Sequence, residues 1–111
     1  MGEKTPAEGQ AQGEAMTLRE KQSKFADMVS VLLRFAIVRG YEITFGDAYA
    51  TDGHSRNSKH YRRLAIDLNL FKDGVYLTET EDHKELGKFW EGIGGVWGGN
   101  FKYPDGNHYE L

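Results

Sequence analysis

The sequence predicts a small α+β domain, a mostly antiparallel sheet with helices packed on it. Three features carry that expectation. A long amphipathic helical repeat lies near the start, short β-prone runs bounded by turn residues follow it, and a second, shorter helical repeat interrupts those runs. Helix, strands, helix and strands in unequal order is the pattern of an α+β domain.

The first helix is announced by Thr17-Leu18-Arg19-Glu20, which fits a capping box. Phe25, Met28, Val29, Leu32, Leu33 and Ala36 then recur at helical spacing until Gly40 supplies a stop. This stripe is expected to pack on the domain's own sheet. Tyr41 to Phe45 forms a short β-prone run, and Gly46 to Lys59, rich in Gly, Asp, Ser and Asn, reads as a loop. The strongest strand is Leu64 to Phe71. Its alternation puts Leu64, Ile66, Leu68 and Leu70 on one face and Ala65, Asp67 and Asn69 on the other, so Asp67 points away from the aliphatic side. Lys72-Asp73-Gly74 reads as a hairpin turn into Val75-Tyr76-Leu77. Thr78 or Thr80 is expected to cap a second helix bearing Leu86, Phe89 and Trp90, ended by Gly92, Gly94 and Gly95. Val96-Trp97 and His108-Tyr109-Glu110-Leu111 read as the last strands, joined through Gly98, Gly99, Pro104, Asp105 and Gly106.

With 111 residues, 39% of them hydrophobic, the chain can bury one modest core and no second one. Residues 1–15 lack aromatic and branched aliphatic side chains and read as a disordered leader or fusion remnant, leaving 16–111 as the folded domain. Glu3, Glu8 and Glu14 against Lys4 account for −2 of the formal −3, so the remainder carries −1. Near-neutral charge argues against a nucleic-acid partner, and no apolar stretch suits a membrane anchor. The chain contains no cysteine, so any bound metal must be held by nitrogen and oxygen. Four histidines are available: His54, His60, His83 and His108. A lone histidine at a strand start is ordinarily a surface or hydrogen-bonded side chain, and Asp105 in Pro-Asp-Gly is ordinarily a turn former.

Two motifs change those readings. Ser58, His60, Ala65 and Asp67 follow the form SxHxxGxAxD, and Asp105 stands three residues before His108. Together with Trp97-Gly98-Gly99 and Tyr109-Glu110-Leu111, they make the stretch from Leu18 to Leu111 resemble the zinc D-Ala-D-Ala carboxypeptidase and L-alanyl-D-glutamate endopeptidase family, which includes many phage endolysins. The resemblance implies a Hedgehog/DD-peptidase-like fold and one zinc ion held by His60, Asp67 and His108. Three protein ligands leave a fourth position open, and zinc lowers the pKa of water there to about 7. Asp105 is then the implied catalytic carboxylate, with Glu110 as the runner-up base or as a partner that orients an imidazole. Ser58 resembles the family serine that hydrogen-bonds substrate. His54 and His83 lie outside both motifs and read as structural.

Two departures from the family pattern stand out. Arg63 occupies the usual Gly position, which suggests that the backbone there does not need a positive φ. Relatives carry a Tyr-Arg step that stabilises the oxyanion, whereas Tyr49 is followed here by Ala50; Arg56 is the expected substitute. Arg56, Lys59, Arg62 and Arg63 form a basic cluster suited to drawing in the carboxylates of a peptidoglycan stem peptide. The resemblance implies zinc-dependent cleavage of that peptide by a phage or prophage endolysin acting as an L-alanyl-D-glutamate endopeptidase, a monomer made in the host bacterial cytoplasm and acting on the wall after release. The alternatives are a D-alanyl-D-alanine carboxypeptidase and a non-catalytic, zinc-containing cell-wall-binding domain.

Overall fold

The computed structural model describes residues 16–49 and 58–111. The expected leader, His54, Ala50 and Arg56 lie outside the described residues. Helix α1 spans Leu18–Val38 and begins as its sequence predicts: Glu20 N–H donates to Thr17 Oγ1 at 3.1 Å, and Thr17 N–H to Glu20 Oε1 at 2.9 Å. At its other end Gly40, with φ 94°, lets Gly40 N–H reach Ile37 O and Tyr41 N–H reach Ala36 O, which pairs carbonyls the helix leaves open. The stripe Phe25, Met28, Val29, Leu32 and Ala36 is buried.

The remaining elements build one five-stranded antiparallel sheet. β1 is Glu42–Phe45, β2 Ala65–Lys72, β3 Val75–Leu77, β4 Val96–Trp97 and β5 His108–Glu110. β2 is central: β1 runs along one edge, while β5 pairs with its first half and β3 with its second half on the other edge. β4 closes the outside of β5. Asp73 and Gly74, both at positive φ (53° and 79°), make the tight β2–β3 turn, in which right-handed strand twist favours two left-handed residues. The aliphatic face of β2, Ile66, Leu68 and Leu70, is buried with Leu32 of α1 and Leu86 and Trp90 of α2, which spans Lys84–Gly92. Asp67 and Asn69 occupy the opposite, half-buried face. Among the described residues no helix is long and apolar enough to cross a membrane.

Two local expectations are corrected. Neither Thr78 nor Thr80 caps the second helix. The chain enters α2 through a 3₁₀ turn, Thr80–His83, in which Glu79 N–H donates to Asp82 Oδ2 at 3.0 Å, while Thr80 Oγ1 is diverted to accept from Gly106 N–H at 3.2 Å. Arg63 does adopt the left-handed conformation, at φ 58° and ψ 38°. It closes the 3₁₀ turn Lys59–Arg62, and the reversal into β2 requires that geometry whichever residue stands there. Its guanidinium lies 4.1 Å from the Tyr49 ring centroid, an attraction of about 0.5–1 kcal/mol that partly offsets the backbone cost.

His83 is buried and its Nδ1 lies 2.7 Å from Tyr109 Oη, so it serves the core. Burial lowers its pKa to about 4, against a smaller upward pull from Asp82. The unfolded chain, with a histidine near 6.5, therefore takes up the proton first as pH falls. His83 stabilises fully above about 6.5, and that contribution is lost progressively toward pH 4. Urea unfolding at pH 7.5 and 4.5 should show a shallower pH dependence for His83→Gln than for the unsubstituted protein. Equal slopes would contradict a neutral, buried His83. In the same assay at pH 7.5, Leu32→Ala is expected to cost about 2–5 kcal/mol, and Val38→Ala, at a 71% exposed position, less than about 0.5 kcal/mol.

Candidate metal centre

Antiparallel register places Asp67 of β2 directly opposite His108 of β5. His60 comes from the 3₁₀ turn just before β2, where Ser58 Oγ accepts from His60 N–H at 3.1 Å and fixes the start of the turn. Asp67 is held from its other side as well. Its N–H donates to Asp47 O at 2.7 Å, and its O accepts from Gly46 N–H at 2.7 Å, so the chain leaving β1 grips the backbone on which the carboxylate stands.

The three side chains converge. Asp67 Oδ1 lies 3.1 Å from His60 Nε2 and 3.3 Å from His108 Nδ1, and one ligand atom from each residue falls within 4.8 Å of the others. Two donors each about 2.0–2.2 Å from a tetrahedral ion stand about 3.3–3.6 Å apart, and the two spacings from Asp67 Oδ1 lie close to that range. Two imidazoles and one carboxylate are also a donor set that borderline-soft cations accept. Both histidines are buried and Asp67 is half-buried.

Asp105 stands beside this group without joining it. Its Oδ2 is 3.9 Å from His108 Nδ1, and its side chain is 53% exposed. The turn that carries it is pinned to Gly98: Asp105 N–H donates to Gly98 O at 2.9 Å, and His108 N–H to Asp105 O at 3.1 Å. A Cβ on Gly98 would collide with the main-chain oxygen of Asp105 and stand 2.9 Å from His108 Cβ. That close approach is the physical reason for Gly after Trp97. Trp97 in turn holds the loop by donating Nε1–H to Gly106 O at 2.7 Å. Beyond Asp105 a cavity of about 240 Å³ is lined by Asn69, Tyr76, Thr80, His83 and Asn107.

Glu110 occupies the same face of β5 as His108, with Oε1 2.7 Å from His108 Nε2. Burial by itself would lower the His108 pKa, but the hydrogen bonds and charges of Asp67 and Glu110 outweigh it and leave the group raised. Protons therefore compete with a cation for His108 on acidification. The expected basic cluster is only partly available: Lys59 Nζ lies 3.6 Å from Glu110 Oε2 and donates to Leu111 O at 2.7 Å, while Arg63 lies over Tyr49. Lys59 was expected in a basic cluster that draws in substrate carboxylates. Its position beside His60 was the one clue to a role at the site. Arg56, the expected arginine substitute, lies outside the described residues.

Comparisons with known proteins bear on the family and the fold. A model of the D-alanyl-D-alanine carboxypeptidase family matches residues 51–111, more than half of the chain. The crystal structure of Serratia marcescens L-Ala D-Glu endopeptidase ChiX shares the fold, with a TM-score of 0.64 at 18% identity over 85% of this chain and 82% of that one. No curated protein matches in sequence.

Gly98→Ala should displace the Asp105 turn and the His108 backbone together, weakening cation binding and costing about 1–3 kcal/mol of stability by overpacking. Isothermal titration with zinc and urea unfolding read the two effects. Wild-type values in both would mean that the close approach has no consequence.

Proposed function

The chain belongs to the D-alanyl-D-alanine carboxypeptidase family, and from that premise we propose that it is a zinc peptidase that cuts peptidoglycan stem peptides, as an L-alanyl-D-glutamate endopeptidase of phage or prophage origin. The observation that carries this reading is the convergence of His60, Asp67 and His108 with a non-ligating carboxylate, Asp105, alongside. His60 Nε2, an Asp67 oxygen and His108 Nδ1 would hold the ion. When bound, zinc supplies a Lewis acid that makes water a nucleophile near neutral pH and polarises the scissile carbonyl.

The chain's own residues do the rest. Asp105 Oδ2, exposed and beside His108, takes the proton from the attacking water and returns it to the leaving amine, a contribution of about 10²–10⁴ in rate. Glu110 is poorly placed for that task, because one of its oxygens is on His108 and the other faces Lys59. Ser58, whose hydroxyl oxygen caps the His60 turn, has its O–H left to donate to substrate. The cavity beyond Asp105 offers Asn69 and Asn107 to the peptide. Arg56 is proposed to stabilise the oxyanion in place of the arginine missing after Tyr49. In this reading the enzyme is a monomer made in the host cytoplasm and released to the wall.

A second reading has specific support: the matching family is described by carboxypeptidase activity. Purified muropeptides incubated with the protein and analysed by mass spectrometry separate the two. A new D-glutamyl amino terminus is expected, and free D-Ala as sole product would establish the carboxypeptidase instead. Variants test the roles. His60→Ala, Asp67→Ala and His108→Ala are each expected to lose the metal, whereas Asp105→Ala keeps it and loses about 10²–10⁴ of turnover. If Asp105→Ala alone emptied the site in elemental analysis, the assignment would be wrong. Zinc-loaded protein that cleaves no wall preparation, with Asp105→Ala making no difference, would favour the non-catalytic wall-binding domain.

A further inference from the structure

The two histidine-bearing segments are joined by more than the proposed ion. Lys59 directly precedes His60, and Glu110 follows His108 by two residues on the same face of β5. The Glu110 carboxylate spans the gap between them. Its Oε1 lies 2.7 Å from His108 Nε2 and its Oε2 lies 3.6 Å from Lys59 Nζ, while the same ammonium donates to Leu111 O at 2.7 Å. Glu110's side chain is 16% exposed and that of Lys59 36%, so the carboxylate end of the pair is the better shielded from water. Leu111 N–H is itself tied to Leu64 O at 3.0 Å, and Trp90 Nε1–H donates to Glu110 O at 2.8 Å, which leaves the backbone beneath the carboxylate little freedom.

We infer that Lys59 and Glu110 are a positioning pair for the metal centre: Glu110 holds His108 with Nε2–H turned away and Nδ1 presented beside Asp67, and Lys59 locks that carboxylate to the His60 turn. The physical basis is the two-sidedness of imidazole. A histidine that donates from one ring nitrogen to a carboxylate offers the lone pair of the other, in a fixed orientation. His108 has the two contacts that this division needs, with Nε2 2.7 Å from Glu110 Oε1 and Nδ1 3.3 Å from Asp67 Oδ1. A carboxylate with one oxygen on the imidazole can still rotate. An ammonium 3.6 Å from its second oxygen opposes that rotation, and because the ammonium belongs to the residue before His60, it also draws the two imidazole-bearing segments together. Both residues act through His108, so neither need touch substrate.

This inference rests on the zinc reading above, and the test separates the two. Zinc affinity is measured by competition with a chromophoric chelator for the unsubstituted protein, Lys59→Met, Glu110→Gln, Glu110→Ala and the double variant Lys59→Met with Glu110→Ala. Metal-free thermal unfolding of each variant checks that it folds. Glu110→Ala is expected to weaken zinc about 10- to 100-fold, as loss of an imidazole's carboxylate partner typically does. Glu110→Gln, which keeps an acceptor for Nε2–H, should lose less. Lys59→Met should cost up to about fivefold alone and nothing further once Glu110 is alanine. Long-range ¹H–¹⁵N spectra of the zinc-loaded protein should show the His108 proton on Nε2, and in Glu110→Ala that single signature should broaden or divide. If Glu110→Ala does not fold, Glu110→Gln serves in its place, with the Lys59→Met effect expected to shrink in that background. Unchanged zinc affinity in Glu110→Ala, or a Lys59→Met effect of the same size in both backgrounds, would overturn the pair while leaving the zinc reading intact. Absence of zinc binding by the unsubstituted protein would overturn both.

Discussion

The site depends on one register. β2 and β5 pair antiparallel so that Ala65, Ile66 and Asp67 face Glu110, Tyr109 and His108. Side chains alternate across a strand, so this alignment sends Tyr109 into the core with Ile66 and leaves Asp67, His108 and Glu110 together on the other face. A slip of one residue would turn His108 toward the aliphatic core and Tyr109 away from it. Slippage is resisted at both ends, where Leu68 N–H donates to Asn107 O at 2.9 Å and Leu111 N–H to Leu64 O at 3.0 Å. Inside, the fully buried Tyr109 stacks edge-on with Trp90 and meets His83 through its hydroxyl. The same pairing that completes the core thus aligns an aspartate and a histidine from two strands well separated in the chain.

His60 reaches that pair from outside the sheet, and bringing it there strains the chain. The 3₁₀ turn that carries it must reverse sharply into β2, and Arg63 takes the left-handed conformation to do so. For a residue with a Cβ this costs on the order of 1–2 kcal/mol. Local strain of this kind persists where neighbouring contacts hold it, here the Ser58 cap at one end of the turn and the Tyr49 ring under the Arg63 guanidinium at the other. The Asp105 turn is set by close packing instead, with Gly98 beneath it, Trp97 tied to Gly106 O and Thr80 Oγ1 accepting from Gly106 N–H.

Sequence made the local elements legible and left their mutual placement obscure. The spacing of Phe25, Leu32 and Ala36, the Thr17 box, the alternation in β2 and the Asp73-Gly74 turn are short-range signals, and each element lies where its signal pointed. The start of the second helix was misread because Thr80 is recruited by Gly106, a partner distant in the chain. Arg63 was misread because side-chain identity is a poor guide where the fold imposes a backbone angle. His60, Asp67, Asp105 and His108 were singled out by motif alone; nothing in their spacing says that the β2–β5 register would bring them together. The Lys59–Glu110 contact was hidden for the same reason, as a charged pair far apart in sequence is invisible until the strands are aligned.

The claim on which all of this turns is that two imidazoles and the Asp67 carboxylate bind one ion. Zinc K-edge X-ray absorption of protein loaded with one equivalent of metal reads it most directly. The expected spectrum has a nitrogen and oxygen shell at about 2.0–2.2 Å, with the outer-shell scattering of two imidazole rings, one of which disappears in His60→Ala. A spectrum with one imidazole or none, or one unchanged by His60→Ala, would contradict it.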